Sequence, residues 1–248
     1  GFYKAFGCHQ LLKLFSSFLM HAQADRNTVT FSSGDGLLLT ADQYHLADSL
    51  PYIVLLHGQG SSRGEFRAIA PRFLKMEYNC LAVDLRNGGS ASFISNETVR
   101  RCRKKDCENE PGKVRQDILA AIDYAQAASG EKNVVLLGSG ANGSLGLITG
   151  NEDNRVAAVI ALSPGEFFRP AFMVEDTIVG MQKPVFIAST QLEYPYMEQL
   201  VSGIDEAYKT LFKPSDVQGV RGTEALDPEY PANAEYWLAL ILFIKELM

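Results

Sequence analysis

Val134-Val135-Leu136-Leu137-Gly138-Ser139-Gly140-Ala141-Asn142-Gly143 runs four apolar residues into a cluster of small ones. A short, uninterrupted apolar run is the pattern of a strand buried on both faces. The glycines that follow permit a sharp turn, after which a helix begins. Strand, turn and helix in immediate succession form the building unit of a parallel sheet.

The same alternation extends in both directions. Apolar runs at 52–56, 80–83, 134–137, 156–162 and 185–188 predict buried strands, and 28–31 and 37–43 flank Ser33-Gly34-Asp35-Gly36 as a hairpin-like pair. Helical spacing predicts helices over 65–75, 114–128 and 196–211. A closing helix over 235–248 offers Trp237, Leu238, Ile241 and Ile244 to the core. Residues 164–182, with Pro164, Pro170 and Gly180, lack a clear period and are expected to form a small cap over the sheet edge. The expected class is α/β: a mostly parallel central sheet with helices on both faces, one domain over 28–248 behind an N-terminal segment over 1–27. There is no internal repeat and no linker.

Of the 248 residues, 46% are hydrophobic and 21% charged, which excludes a disordered or fibrous chain. A net charge of -6 gives no drive toward nucleic acid, whose binding needs a concentrated positive face. The local run Arg100, Arg101, Arg103, Lys104 and Lys105 is followed at once by Asp106, Glu108 and Glu110, and reads as a solvated loop or helix end. No stretch reaches the roughly 20 apolar residues that a membrane helix needs.

Leu14-Phe15-Ser16-Ser17-Phe18-Leu19-Met20 follows Lys4 and Lys13 and precedes Ala22-Gln23-Ala24, which resembles a signal peptide with its cleavage site. That reading implies a secreted or periplasmic protein. An amphipathic helix packed on the domain of a cytoplasmic protein is the other reading, and both stay open. Cys8, Cys80, Cys102 and Cys107 show no paired metal-ligand spacing, so neither a metal nor a cofactor is expected. Cys102 and Cys107 can close a small disulfide loop or remain free thiols, and Cys80 reads as a core residue.

His57-Gly58-Gln59-Gly60 after one strand and Asp84-Leu85-Arg86-Asn87-Gly88-Gly89-Ser90 after another resemble the α/β-hydrolase family, of the esterase and dienelactone-hydrolase kind. The family reads H-G-x-G and D-x-R-x-x-G-x-S at these points, and the second match is looser because Ser90 follows Gly89 directly. By this resemblance, backbone amides near Gly58 and Ala141 make an oxyanion hole. His57 reads as a brace for its loop, and Asp84 and Arg86 as ties between loops. The stretch 138–143 resembles the family's nucleophile elbow, G-x-S-x-G, but holds Gly140 at the serine position and Asn142 at the second glycine, with Gly143 next. Ser139, one register earlier, and Ser144, in the first turn of the following helix, are the alternative nucleophiles.

All four histidines, His9, His21, His45 and His57, precede the elbow, whereas the family's base follows it. Gly219-Val220-Arg221-Gly222 resembles the family's G-x-H-G loop with Arg221 in the histidine place. A guanidinium cannot take a proton from a hydroxyl. Glu193, in Ser189-Thr190-Gln191-Leu192-Glu193, is the acid candidate or else a surface loop carboxylate. The reading is a non-catalytic or weakly active homologue. It binds a small anionic ligand, a carboxylate or phosphate, where His57, Gly58, Gln59, Ala141 and Arg221 are expected to converge. An active serine hydrolase using Ser139 or Ser144 is the alternative.

Overall fold

A computed structural model describes residues 25–248, so the signal-like stretch lies outside the described residues. The strands are β1 (Asp25–Ser32), β2 (Leu38–His45), β3 (Tyr52–Leu56), β4 (Asn79–Val83), β5 (Ser90–Ala91), β6 (Ile94–Ser95), β7 (Val134–Ser139), β8 (Val156–Leu162), β9 (Val185–Ala188) and β10 (Lys209–Phe212). Eight of them make one sheet in the order β1-β2-β4-β3-β7-β8-β9-β10, while β5 and β6 form a separate small hairpin. β1 with β2 and β2 with β4 run antiparallel; every other neighbouring pair in the large sheet is parallel.

Side chains alternate across the sheet because the strand period is two. Val54 and Leu56 of β3 enter one core cluster, with Ile118, Leu145 and Leu147. Ile53 and Leu55 enter the other, with Phe66, Phe73 and Trp237. Both faces are covered by helices: α1 (Ala70–Leu74), α2 (Glu97–Lys105), α3 (Pro111–Ala128), α4 (Gly140–Glu152), α5 (Val174–Thr177), α6 (Tyr194–Leu200) and α7 (Asn233–Glu246). From β3 the chain crosses to β4 on one side, and β7 takes the other. The strand order reverses at the carboxyl ends of β3 and β7, where Leu56 pairs with Gly138 and where sheets of this kind place their ligands.

Several expectations are corrected. The helix over 196–211 stops at Leu200, and Lys209–Phe212 is instead the edge strand β10. Gly203 packs against Val179, and a turn at Asp205, whose carboxylate accepts the Ala207 amide at 2.8 Å, redirects the chain to pair with β9. The helix over 65–75 is split into a 3-10 turn at Arg63–Phe66 and α1, which restarts at Ala70 with Pro71 in its first turn. β1 begins three residues early, at Asp25, and β7 continues to Ser139. On α7 it is Tyr236, Trp237, Leu240, Phe243 and Ile244 that are buried, whereas Leu238 is exposed. The patternless stretch 164–182 is no separate layer, because Val174, Ile178 and Met181 enter the core and α5 packs between α4 and α6. The basic run falls on the last two turns of α2, which Asn96 caps. Cys102 and Cys107 are disulfide-bonded, and Cys80 is buried and free. Among the described residues no helix is long and apolar enough to cross a membrane.

The loop after β4 is anchored by three ion pairs. Asp84 accepts from the Arg63 guanidinium at 2.5 Å and from the Glu97 amide at 2.8 Å. Arg86, its side chain fully buried, reaches Asp117 at 2.7 Å and Asp35 at 2.6 Å. Removing Asp117 leaves the buried Arg86 guanidinium with Asp35 as its one remaining carboxylate and strips the charged hydrogen bonds that Asp117 accepts from it. Asp117→Ala should therefore cost about 2–3 kcal/mol in urea unfolding. Hydrogen bonding to Arg86 lowers the Asp35 pKa from 3.8 to about 2. A lowered folded-state value stabilises above the unfolded pKa and is lost on acidification. Stability should fall as pH drops from about 4 to 2, and Asp35→Asn should flatten that limb of a pH-dependent melting series.

Candidate functional site

The site begins where β7 meets α4. Ser139 is still extended, with φ -114° and ψ 135°, and Gly140 switches to φ +57°. The turn brings strand and helix so close that a Cβ on Gly138 would lie 2.7 Å from the Gly143 Cα, and one on Gly143 would lie 2.8 Å from the Gly138 carbonyl oxygen. These two glycines are demanded by contact. Gly140 differs, because nothing lies within 4 Å of where its Cβ would be. The turn thus presents a position with room for a side chain and supplies only hydrogen.

Asn142, fully buried one step into α4, ties the elbow to two other loops. Its amide donates to the His57 carbonyl at 2.6 Å, and its oxygen accepts from Asn87 at 2.8 Å. His57 is wholly buried; its Nε2 accepts the Leu85 amide at 2.9 Å, so Nδ1 carries the proton and donates to the Gly58 carbonyl at 2.8 Å. Burial pushes its pKa down and keeps the ring neutral. His57 is a brace and offers nothing to a ligand, which corrects its place among the expected binding groups. Gln59 is exposed at the loop surface.

The expected convergence of anion donors is also corrected. The Gly58 amide already donates to the Glu65 carboxylate, at 3.0 and 3.2 Å, and the Thr223 hydroxyl donates to the same carboxylate. An internal anion fills half of the anticipated hole. Ala141, the other expected donor, is buried in the first turn of α4, which has no side-chain cap. Glu65 and Thr223 went unnoticed in the sequence, and no spacing rule would have found them, because 158 residues separate the pair.

Glu193 and Arg221 do meet. Arg221 Nε lies 2.8 Å from Glu193 Oε1, with the arginine side chain 78% exposed and the glutamate 13%. Glu193 Oε2 accepts from the Ser163 hydroxyl at 3.0 Å and from Thr190 at 3.1 Å, and Ser163 in turn accepts the Gly222 amide at 3.2 Å. Glu193 therefore lies beside the loop that resembles the family's histidine loop, with the Arg221 guanidinium against its carboxylate. Ser139, 6% exposed, is pressed by Gly222, which would collide with its hydroxyl if it carried a Cβ. Ser144 is buried, donates to the Gly165 carbonyl at 2.8 Å and accepts the Gly165 amide at 2.9 Å. That engagement removes it from the nucleophile candidates. Beside Arg221 lies a groove of about 380 Å³ walled by Phe167, Leu192 and Tyr196. Among the described residues no cluster could hold a metal ion.

A family model described as the alpha/beta hydrolase fold matches residues 51–193, more than half of the chain. Among solved structures, an esterase from Pyrococcus furiosus superposes with a TM-score of 0.67 at 14% identity, over 91% of this chain and 92% of that one. A dienelactone hydrolase from Anabaena variabilis gives 0.67 at 15% identity, over 90% and 98%. Est1E from Butyrivibrio proteoclasticus, solved with ferulic acid, gives 0.67 at 14% identity, over 89% and 100%. The quorum-quenching protein AidA of Acinetobacter baumannii is 32% identical over 117 residues, 46% of this chain and 35% of that protein. The chain thus matches about a third of the length of this curated relative.

The glycines make a graded prediction. Gly140→Ala should cost about 1–2 kcal/mol, the left-handed backbone penalty alone. Gly138→Ala should cost about 3 kcal/mol or more, since backbone must move. Urea unfolding of the two variants side by side would show the order.

Proposed function

The chain belongs to the α/β-hydrolase family, and we propose that it is a catalytically silent or residually active member that binds a small anionic ligand. One observation carries the reading: the elbow position has room for a side chain and holds Gly140, while the base position holds Arg221 tied to Glu193. Without a hydroxyl there is no acyl-enzyme, and a guanidinium cannot deprotonate a water in its place. Loss of triad members costs on the order of a million-fold in turnover.

For the anion, Arg221 engages Glu193 through Nε, and its two Nη groups make no hydrogen bond among the described residues. A carboxylate or phosphate can take both donors at once. The Ala141 amide is a second donor for a ligand that displaces Glu65 from Gly58. Likeness to esterases and to a quorum-quenching protein supports a small organic ligand. The Cys102–Cys107 disulfide supports an exported protein, in line with the signal-like stretch, and one domain over 28–248 fits the continuous sheet.

A second reading, hydrolysis through Ser139, is favoured by placement: the Ser139 hydroxyl and a Glu65 carboxylate oxygen both border Gly58, each 3.6 Å from where its Cβ would be. A fluorophosphonate probe and p-nitrophenyl acetate separate the readings. The protein should stay unlabelled and turn over the ester at or marginally above the buffer rate, and the double variant Gly140→Ser, Arg221→His should gain label where neither single variant does. Labelling of the parent protein that vanishes in Ser139→Ala would transfer the function to the second reading.

A further inference from the structure

The anion-binding reading leaves the rest of the ligand unspecified, and the groove beside Arg221 has a chemistry of its own. Three large apolar side chains stand open around it: Leu192 is 82% exposed, Phe167 54% and Tyr196 42%. Met197, buried, also lines it. Exposed apolar groups clustered around one cation mark a binding groove more often than bare surface.

The two rings are held close to one another. A Cβ on Gly165 would lie 3.2 Å from Phe167 Cε2 and 3.4 Å from Tyr196 Cε1, so the missing side chain at 165 is what lets both rings approach the same point. Tyr196 is fixed further by its hydroxyl, which accepts the Glu166 amide at 2.8 Å. A wall whose position is set before binding loses little freedom when the ligand arrives.

The carboxylates of the groove are turned to other work. Glu166 accepts the amides of Val174 and Glu175 at 2.7 and 2.8 Å. Glu193 has one oxygen on Arg221 and the other on Ser163 and Thr190. The open charged donors are the Nη groups of Arg221.

We infer, resting on the anion-binding reading, that the ligand is a carboxylate carried on an aromatic body, with the carboxylate on Arg221 and the ring against Phe167, Leu192 and Tyr196. Inorganic phosphate would satisfy the guanidinium and leave those three side chains in water. The groove volume of about 380 Å³ lies at the small end of ligand pockets, roughly 300–1,000 Å³.

The test is calorimetric titration of the full chain with 3-phenylpropionate, 3-phenylpropanol, propionate and inorganic phosphate. 3-Phenylpropionate should bind at least about tenfold more tightly than each of the other three. Arg221→Ala should weaken it about tenfold and abolish its preference over the alcohol. Phe167→Ala, and separately the exposed-site variant Leu192→Ser, should weaken it several-fold and leave propionate unchanged. If propionate and phosphate bind as well as 3-phenylpropionate and all respond to Arg221→Ala, the anion site stands and the aromatic body is wrong. If the alcohol binds as well as the acid, the carboxylate is wrong. If no anion responds to Arg221→Ala, or none of the four probes binds, the anion-binding reading falls together with this inference.

Discussion

Gly138 and Gly143 approach so closely across the β7–α4 turn that neither can carry a side chain, and the rest of the site hangs on that contact. It fixes where α4 starts relative to the sheet, and so throws Gly140 into the left-handed conformation with open space above it. It also sets Asn142 where its amide reaches the His57 carbonyl. From there the bracing continues: His57 holds the Leu85 amide, and Asn96, which caps α2, donates to both the His57 ring and the Leu85 carbonyl. Loops after β3, β4 and β7 are thereby joined by buried hydrogen bonds, each costly to break without replacement.

On this frame the charges are arranged as in a site that has turned inward. A backbone amide left without a backbone partner attracts an anion. Here the chain supplies one itself, since Glu65 takes the Gly58 amide and the Thr223 hydroxyl. The acid and the cation that flank the opposite wall satisfy each other in the Glu193–Arg221 pair. What remains available is the outward face of the guanidinium and the apolar walls beside it. Glu193 has polar support from Ser163 and Thr190, which fixes the carboxylate that Arg221 meets.

Much of the fold was legible because buried parallel strands are apolar on both faces, and β3, β8 and β9 declare themselves by composition alone. β10 did not. Its residues Lys209 to Phe212 alternate too weakly to separate from the helical spacing before them, and the strand exists only because β9 offers it a parallel partner. Leu238 misled in the same way: helical periodicity marks an apolar stripe but does not say where a long helix rotates away from its core.

The absence of a hydroxyl at the elbow and of any imidazole after it is a matter of covalent inventory, and one reading of the chain decides it. Position in a motif likewise singled out Gly140 and Arg221 as candidates, and Glu193 by its place after β9. Where the charges point was decided by the tertiary structure alone. Glu65 and Thr223 meet across 158 residues, and Arg221 turns to Glu193 and solvent rather than toward Gly58. Hydrogen-bond partners are chosen among groups that the sheet order brings to one edge, and no local pattern in a chain encodes that order.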